Sequence, residues 1–187
     1  MKYFETIKCE NFDVYNLHYH EKRIMNTIAR NFSLSEFIYP PSKELLKCKV
    51  VYNEDEILSI EFSPYKKKEI KSFKFICDNK IEYTKKMLNR ECINILYNQK
   101  DNTDEIIIVK NNLISDTSIA NIAIFDGDIW LTPKTPLLKG TIRAKLLQEG
   151  EIFEKDISVK MFKEAKKVAL MNAMIGFDVL KTYSCLS

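Results

Sequence analysis

The 187-residue sequence predicts a mixed α+β fold in two parts, a smaller one over residues 1–64 and a larger one over residues 65–187. Three observations carry this. Short segments with alternating or continuous apolar residues, bounded by turn residues, recur along the chain and read as strands. Segments with apolar residues at helical spacing are interleaved with them. Between the two parts lies "SPYKKKEI", where a proline meets a lysine run, a composition suited to a solvated linker. No internal repeat or low-complexity tract interrupts this pattern.

The N-terminal elements follow in order. "YFETIKCENFDVYNL" reads as a strand, a turn at Glu10-Asn11 and a second strand. "HYHEKRIMNTIARNF" is predicted as a helix, with Ile24, Ile28 and, less regularly, Phe32 on one face. In "PPSKELLKC" the proline pair precedes Ser42, a plausible N-cap for a short helix. A hairpin follows, from Cys48–Tyr52 through Asn53-Glu54-Asp55 to Ile57–Phe62.

Beyond the linker the chain is strand-rich. Strands are predicted over Lys71–Cys77, Ile81–Lys86, Glu105–Lys110, Ala120–Phe125 and Ile129–Thr132. Helices are predicted over Asn89–Asn98, Ile142–Glu149 and Val159–Ala165.

Composition excludes several function classes. The net charge is only +3 and lysines are interspersed with acids, so no basic face for nucleic acid is legible. The five cysteines are scattered without a CxxC pair or a Cys/His cluster, which argues against a disulfide framework or a zinc site. The opening "MKYFETIKCENF" has no apolar signal core, and no apolar run reaches the ~18–20 residues of a membrane helix. The expectation is a cytoplasmic, reducing environment with no membrane partner.

Several residues could carry chemistry. If "IEYTKK" is a strand, adjacent Lys85 and Lys86 point to opposite faces, so at most one looks into a cleft. A partly desolvated amine there is a nucleophile towards carbonyls. In "LISDTSIANIAIF" Asp116 interrupts a run apolar enough to be buried, and a buried carboxylate needs a partner. That partner is either a cation or a local turn in which Asp116 accepts from Ser118 or Ile119 N–H. In "LLKGTIRAKLL" Gly140 and Thr141 open a helix, whose free N–H groups suit an anion, although a capped start is the plainer reading. "LMNAMIGF" offers a second small-residue turn, and Arg23 is either solvated or a phosphate clamp.

The block "DEIIIVKNNLISDTSIANIAIFDGDIWLTPKTPLLKGTIRAKLL", Asp104 to Leu147, resembles the class IV aminotransferases, the fold-type IV pyridoxal-phosphate enzymes. An acid, small polar residues, "AN", a "TP" strand end and "L-x-G-x-x-R" in this order make a specific combination. The likeness extends more weakly through "FETI", "HYHEKR" and "NAM". It implies a two-domain enzyme with its cofactor in a cleft between the domains, and the cofactor is pyridoxal 5'-phosphate. A lysine forms the imine, an acid keeps the pyridine nitrogen protonated, and an arginine with N–H groups holds the phosphate.

By resemblance the imine lysine falls on Lys86, because "KMLNR" looks like the lysine–x–x–x–arginine of the lyase-like members; Lys85, Lys80 and Lys74 compete. Arg90 would then lie near the cofactor's phenolic oxygen. Asp116 takes the place of the family's usual glutamate, with Ser118 and Asn121 as polar supports. Arg23, in an H-x-x-R context, matches the phosphate arginine. Gly140, Thr141 and Ile142 match the phosphate turn "G-I-T" with its last two residue types exchanged, which keeps the N–H donors. Asn172 and Ala173 match a turn that closes the phosphate site.

What the resemblance implies for function is a lyase converting 4-amino-4-deoxychorismate to 4-aminobenzoate and pyruvate, in folate precursor synthesis. The alternatives are a branched-chain or D-amino acid aminotransferase and a degenerate cofactor-binding protein. The family also implies a small-molecule amine substrate and a homodimer. Compared with the family pattern the leader strand, a "GDG" segment and much of the C-terminal tail are missing, which implies trimmed substrate-side loops. His18, His20, Thr6 and Lys49 are unranked candidates for the substrate carboxylate.

Overall fold

The computed structural model describes residues 1–30 and 32–186. They form two compact units, Met1–Lys67 with Lys85–Asn89, and Lys68–Thr84 with Arg90–Ser187. The short excursion Lys85–Asn89 thus belongs with the N-terminal residues, and Lys86 with it. The sequence-based division at 64/65, which puts Lys86 in the larger part with Asp116, differs from this grouping mainly by that excursion.

The first unit is an antiparallel sheet with a helix on it. Strand β1 (Tyr3–Glu10) pairs with β2 (Asp13–Val14) on one side and β3 (Leu46–Tyr52) on the other, and β3 pairs with β4 (Ile57–Pro64). The β1–β2 turn places Asn11 and Phe12 at φ 54° and 68°, the two-residue geometry whose twist matches the strands. Helix α1 (Leu17–Ile28) buries His20, Ile24 and Thr27, one stripe at helical spacing. It ends where Ala29 turns left-handed (φ 55°) and donates its N–H to Met25 O. Phe32 therefore lies beyond the helix, although it packs into the same core as Ile7, Leu34, Val50 and Tyr52.

The helix expected after Ser42 does not form. Ser42 Oγ accepts the Glu44 N–H at 3.3 Å, and Leu46 already starts β3, leaving too few residues for a stable turn of helix. The hairpin is as expected: Asn53 Oδ1 accepts from the N–H groups of Asp55 and Glu56 and closes the β3–β4 turn.

In the second unit β5 (Ser72–Cys77) runs parallel to β6 (Glu105–Lys110), and α2 (Glu91–Tyr97) lies between them in sequence. A turn through Asn111 and Asn112, both at positive φ, returns the chain as β7 (Leu113–Thr117). Strand β8 (Asn121–Phe125) then carries β11 (Lys167–Asn172) along one edge. Its other edge is shared. Asn121 pairs with Asp116 of β7, while Ile124 and Phe125 pair with β9 (Trp130–Pro133). Helix α3 (Thr141–Gln148), β10 (Phe153–Lys155), α4 (Val159–Glu164), β12 (Gly176–Val179) and β13 (Ser184–Leu186) complete the unit.

Why β8 and β11 read as continuous apolar runs is visible in their two faces. Ile122, Ile124, Val168 and Leu170 face one core with Phe73, Ile107 and Phe162. Ala123, Ala169 and Met171, of the opposite parity, face Ile142 of α3 and Ile152. Each fully buried isoleucine here contributes about 1.5–3 kcal/mol, which fixes the register of the strands that carry the polar residues.

The predicted strand Ile81–Lys86 is absent. Ile81 and Tyr83 are buried and Glu82 and Thr84 exposed, so the alternation is real. The segment lacks a ladder among the described residues, however, and the neighbouring Met87 makes an isolated bridge to Tyr3. Burial alternation marks an extended chain, whereas a strand also needs a neighbour for its N–H and C=O groups.

Candidate active site

In the first unit a carboxylate is buried without being apolar-compatible. Glu5 shares a strand face with Ile7 and Cys9, and all three are fully buried. Its Oε1 accepts from Arg23 Nε at 2.8 Å, its Oε2 accepts from Arg23 Nη2, and His20 Nδ1 lies 2.6 Å from Oε2. Burial alone would raise the Glu5 pKa, but the Arg23 charge and the His20 hydrogen bond hold it down at about 2. Burial lowers that of His20, so the imidazole is neutral near pH 7. His20 is thereby committed to Glu5 and, being fully buried, does not present itself to a substrate carboxylate.

Lys86 is partly buried, and its Nζ lies 4.5 Å from the centre of the Phe4 ring. Its carbonyl accepts the Phe4 N–H at 3.0 Å, which ties the Lys85–Asn89 excursion to β1. Lys85 is differently occupied: its Nζ donates to Thr27 O at 2.7 Å. The adjacent lysines do diverge, as parity predicts, although no strand carries them.

In the second unit Asp116 is 4% exposed. Its Oδ1 accepts from Asn121 Nδ2 at 2.7 Å and its Oδ2 from Leu138 N at 2.9 Å. Burial pushes its pKa up to about 6 against these donors and the Arg143 charge. The local-turn alternative is made by a different residue. Thr117 Oγ1 accepts from Ile119 N at 3.2 Å and Ala120 N at 2.9 Å, which leaves Asp116 out of the turn. An ionised carboxylate accepts at about four lone-pair sites, so Asp116 retains acceptor capacity for a buried cation.

Gly140 is the N-cap of α3, and its N–H donates to Asn121 Oδ1 at 3.1 Å. The N–H groups of Thr141 and Ile142, in the first turn, have no intrahelical acceptor by helix geometry. The Ile142 side chain is absorbed into the core, so this position offers its backbone alone. Ser118 and its neighbour are held from several sides. Arg90 Nη2 donates to Ser118 O at 2.5 Å, Ser118 N donates to Glu105 Oε1 at 3.3 Å, and Asn172 Nδ2 donates to Ile119 O at 3.3 Å. Asn172 Oδ1 also accepts from the N–H groups of Met174 and Ile175, which shapes the turn around half-buried Ala173.

Arg90, Asp116, Ser118, Asn121, Gly140, Thr141, Ile142, Asn172 and Ala173 thus all sit in the second unit, and Arg23 and Lys86 in the first. Glu5, Glu105 and Arg143 have no role in the sequence reading, where Glu5 and Arg143 stand only as letters of "FETI" and "L-x-G-x-x-R". Glu5 had a signal, an acid on the apolar parity of "YFETIKC". Glu105 starts a strand buried on both faces, where no parity distinguishes it, and burial raises its pKa. Arg143, 3% exposed, donates to Pro133 O and Glu154.

The residues fit pyridoxal phosphate on chemical grounds. A buried acid with a raised pKa favours a cationic partner such as a protonated ring nitrogen. The first turn of α3 favours an anion. Among the described residues no cluster of His, Cys, Asp and Glu could hold a metal ion, and no helix is long and apolar enough to cross a membrane.

Comparison with known proteins agrees with this chemistry. Residues 83–179 match the family model for amino-transferase class IV. An uncharacterized protein of Haemophilus influenzae is 36% identical over 185 residues, covering 92% of this chain and 97% of that one. The crystal structure of a candidate 4-amino-4-deoxychorismate lyase from Haemophilus somnus superposes with a TM-score of 0.87 at 30% identity, covering 94% of this chain and 97% of that one. A hypothetical aminotransferase from Mycobacterium tuberculosis, in its pyridoxal-phosphate-bound form, shares the fold with a TM-score of 0.77 at 12% identity, over 97% of this chain and 81% of that one. The chain belongs to the class IV aminotransferase family, as a fold-type IV enzyme whose cofactor is pyridoxal 5'-phosphate.

Proposed function

We propose that the protein is a lyase that converts 4-amino-4-deoxychorismate to 4-aminobenzoate and pyruvate. The observation that carries this is the likeness to the Haemophilus somnus protein, which runs over nearly the full length of both chains. The anchoring of Arg90 on the Ser118 carbonyl, four residues after Lys86 in the lyase-like "KMLNR", supports it.

Bound through Lys86, the cofactor would supply an electron sink for the bonds broken at the substrate. Asp116 would supply the negative charge that keeps its ring nitrogen protonated. By the family resemblance, the first-turn N–H groups of α3 and the Arg23 guanidinium would be donors for its phosphate. Lys86 Nζ moves the proton: it takes hydrogen from the ring carbon that bears the substrate amine. The C–O bond to the enolpyruvyl group breaks, and enolpyruvate takes up a proton at its methylene carbon to leave as pyruvate. The two products together contain every atom of the substrate, so no co-reactant is consumed. Aromatisation of the ring drives the step. A homodimer is part of the proposal, and light scattering on the purified protein tests it.

The second reading, an amino-acid aminotransferase, is favoured by the family match itself, because lysine and acid serve both reactions alike. The decisive experiment supplies 4-amino-4-deoxychorismate and identifies products by chromatography. Stoichiometric 4-aminobenzoate and pyruvate support the lyase. Conversion of the bound cofactor to its amine form by an amino acid, reversed by a keto acid, with no 4-aminobenzoate formed, establishes the aminotransferase instead.

A further inference from the structure

Asn121 is 5% exposed and stands at the start of β8, paired across to Asp116 on one edge and to Met171 on the other. Its side-chain amide serves three groups on three segments. Nδ2 donates to Asp116 Oδ1 on β7 at 2.7 Å and to Leu138 O in the loop after β9 at 2.8 Å, while Oδ1 accepts from Gly140 N at the head of α3 at 3.1 Å. Both donor hydrogens and the acceptor are therefore committed.

Gly140 is shaped by the same side chain. Its φ of −71° and ψ of 152° suit any residue, so backbone freedom does not explain the glycine. Space does: a Cβ at Gly140 would fall inside the contact radius of Asn121 Oδ1. With its backbone paired on both edges, Asn121 has no low-cost way to retreat from such a methyl.

We propose that Asn121 is a positioning residue that ties the orientation of the Asp116 carboxylate to that of the α3 N-terminus, with Gly140 supplying the gap it needs. A cationic ring at Asp116 and a phosphate at Thr141 and Ile142 would then be aligned by one side chain rather than by two independent sites. This rests on the reading that the site takes pyridoxal phosphate. Two near replacements at position 121 do not meet all three demands. Aspartate keeps the acceptor for Gly140 but loses both donors and sets a second carboxylate against Asp116; serine is too short to span them.

The test separates the two branches. Gly140→Ala, Asn121→Asp, Asn121→Ala and the double variant Asn121→Ala/Gly140→Ala are titrated with pyridoxal phosphate and with pyridoxal, which lacks the phosphate. The Asp116 carboxyl carbon resonance is followed in the unliganded proteins. Gly140→Ala should weaken pyridoxal on the order of ten-fold and shift the Asp116 resonance, although position 140 lies at the phosphate end. In the Asn121→Ala background the same substitution should add little, because the methyl takes the vacated space. Asn121→Asp should weaken pyridoxal and pyridoxal phosphate alike. The proposal fails if Gly140→Ala leaves pyridoxal affinity and the Asp116 resonance unchanged, or acts equally in both backgrounds. Should Gly140→Ala alone not fold, a double variant that does fold supports the steric lock, and one that equally does not fold overturns it. A wild-type protein that binds neither compound removes the functional reading, while the Asp116 resonance still decides the lock.

Discussion

The Lys86 ammonium lies 4.5 Å from the centre of the Phe4 ring, and the two residues are also joined by a backbone hydrogen bond. The ring face favours the cation, and the backbone bond fixes the depth of the excursion that presents it. Lys85, one residue earlier, is tied to Thr27 O. Reduction with borohydride in the presence of pyridoxal phosphate should therefore attach the cofactor to Lys86 alone, as read by peptide mass spectrometry. Lys86→Ala should abolish the adduct and activity, while Lys85→Ala should retain both. An adduct carried mainly by Lys85 would falsify the assignment.

Asp116 gives the unliganded protein a distinctive pH response. Its folded-state pKa, about 6, is above its ordinary value of 3.8, so the folded state holds the proton more tightly. The stability this provides is present in full below about pH 4 and is lost as pH rises through about 6, a change of about 3 kcal/mol. Asn121, the Leu137 and Leu138 N–H groups and Arg143 face the carboxyl and oppose the shift. Melting temperatures measured across this range should fall for the unliganded wild type and stay flatter for Asp116→Asn. Added pyridoxal phosphate should flatten the wild-type curve, since a protonated ring nitrogen would partner the carboxylate. Asp116→Ala should keep the fold and lose catalysis; unchanged activity per folded molecule would return Asp116 to a structural role.

The residues most legible in the sequence were those whose chemistry contradicts their surroundings. Asp116 in an apolar run and the glycine before "TIRAKLL" both sit where the structure needs them. What parity could not show was partnership. "IEYTKK" has a strand's alternation and no ladder, and "PPSKELL" has a cap without room for a helix. The buried Glu5–His20–Arg23 cluster joins β1 to a helix 15 and 18 residues later in the chain, a contact no local pattern encodes. Even the turn at Ser118 was legible in kind but not in the residue that closes it: Thr117, one residue from Asp116, makes it.

Glu5 imposes the opposite pH response from Asp116. Its folded pKa of about 2 lies below the ordinary 4.5, so its contribution is present above about pH 4.5 and is lost as pH falls towards 2. The size is again about 3 kcal/mol. Acid unfolding followed by circular dichroism should show a shallower limb for Glu5→Gln than for the wild type, from a lower plateau at neutral pH. An acid limb of unchanged slope would mean that other carboxylates set it.

Arg23 and Glu5 should be strongly non-additive. The guanidinium meets the carboxylate side-on, through Nε and Nη2, a geometry that lysine does not reproduce. Arg23→Gln strands a fully buried carboxylate and should cost about 3–5 kcal/mol in urea unfolding. In the double variant Glu5→Gln/Arg23→Gln both charges are gone and two amides can hydrogen-bond in their place, so much of that stability should return. The pair also separates fold from function. If Arg23 holds the cofactor's phosphate, the double variant should regain stability yet still bind pyridoxal phosphate no better than pyridoxal. A double variant that recovers both stability and the preference for the phosphorylated compound would confine Arg23 to the Glu5 cluster.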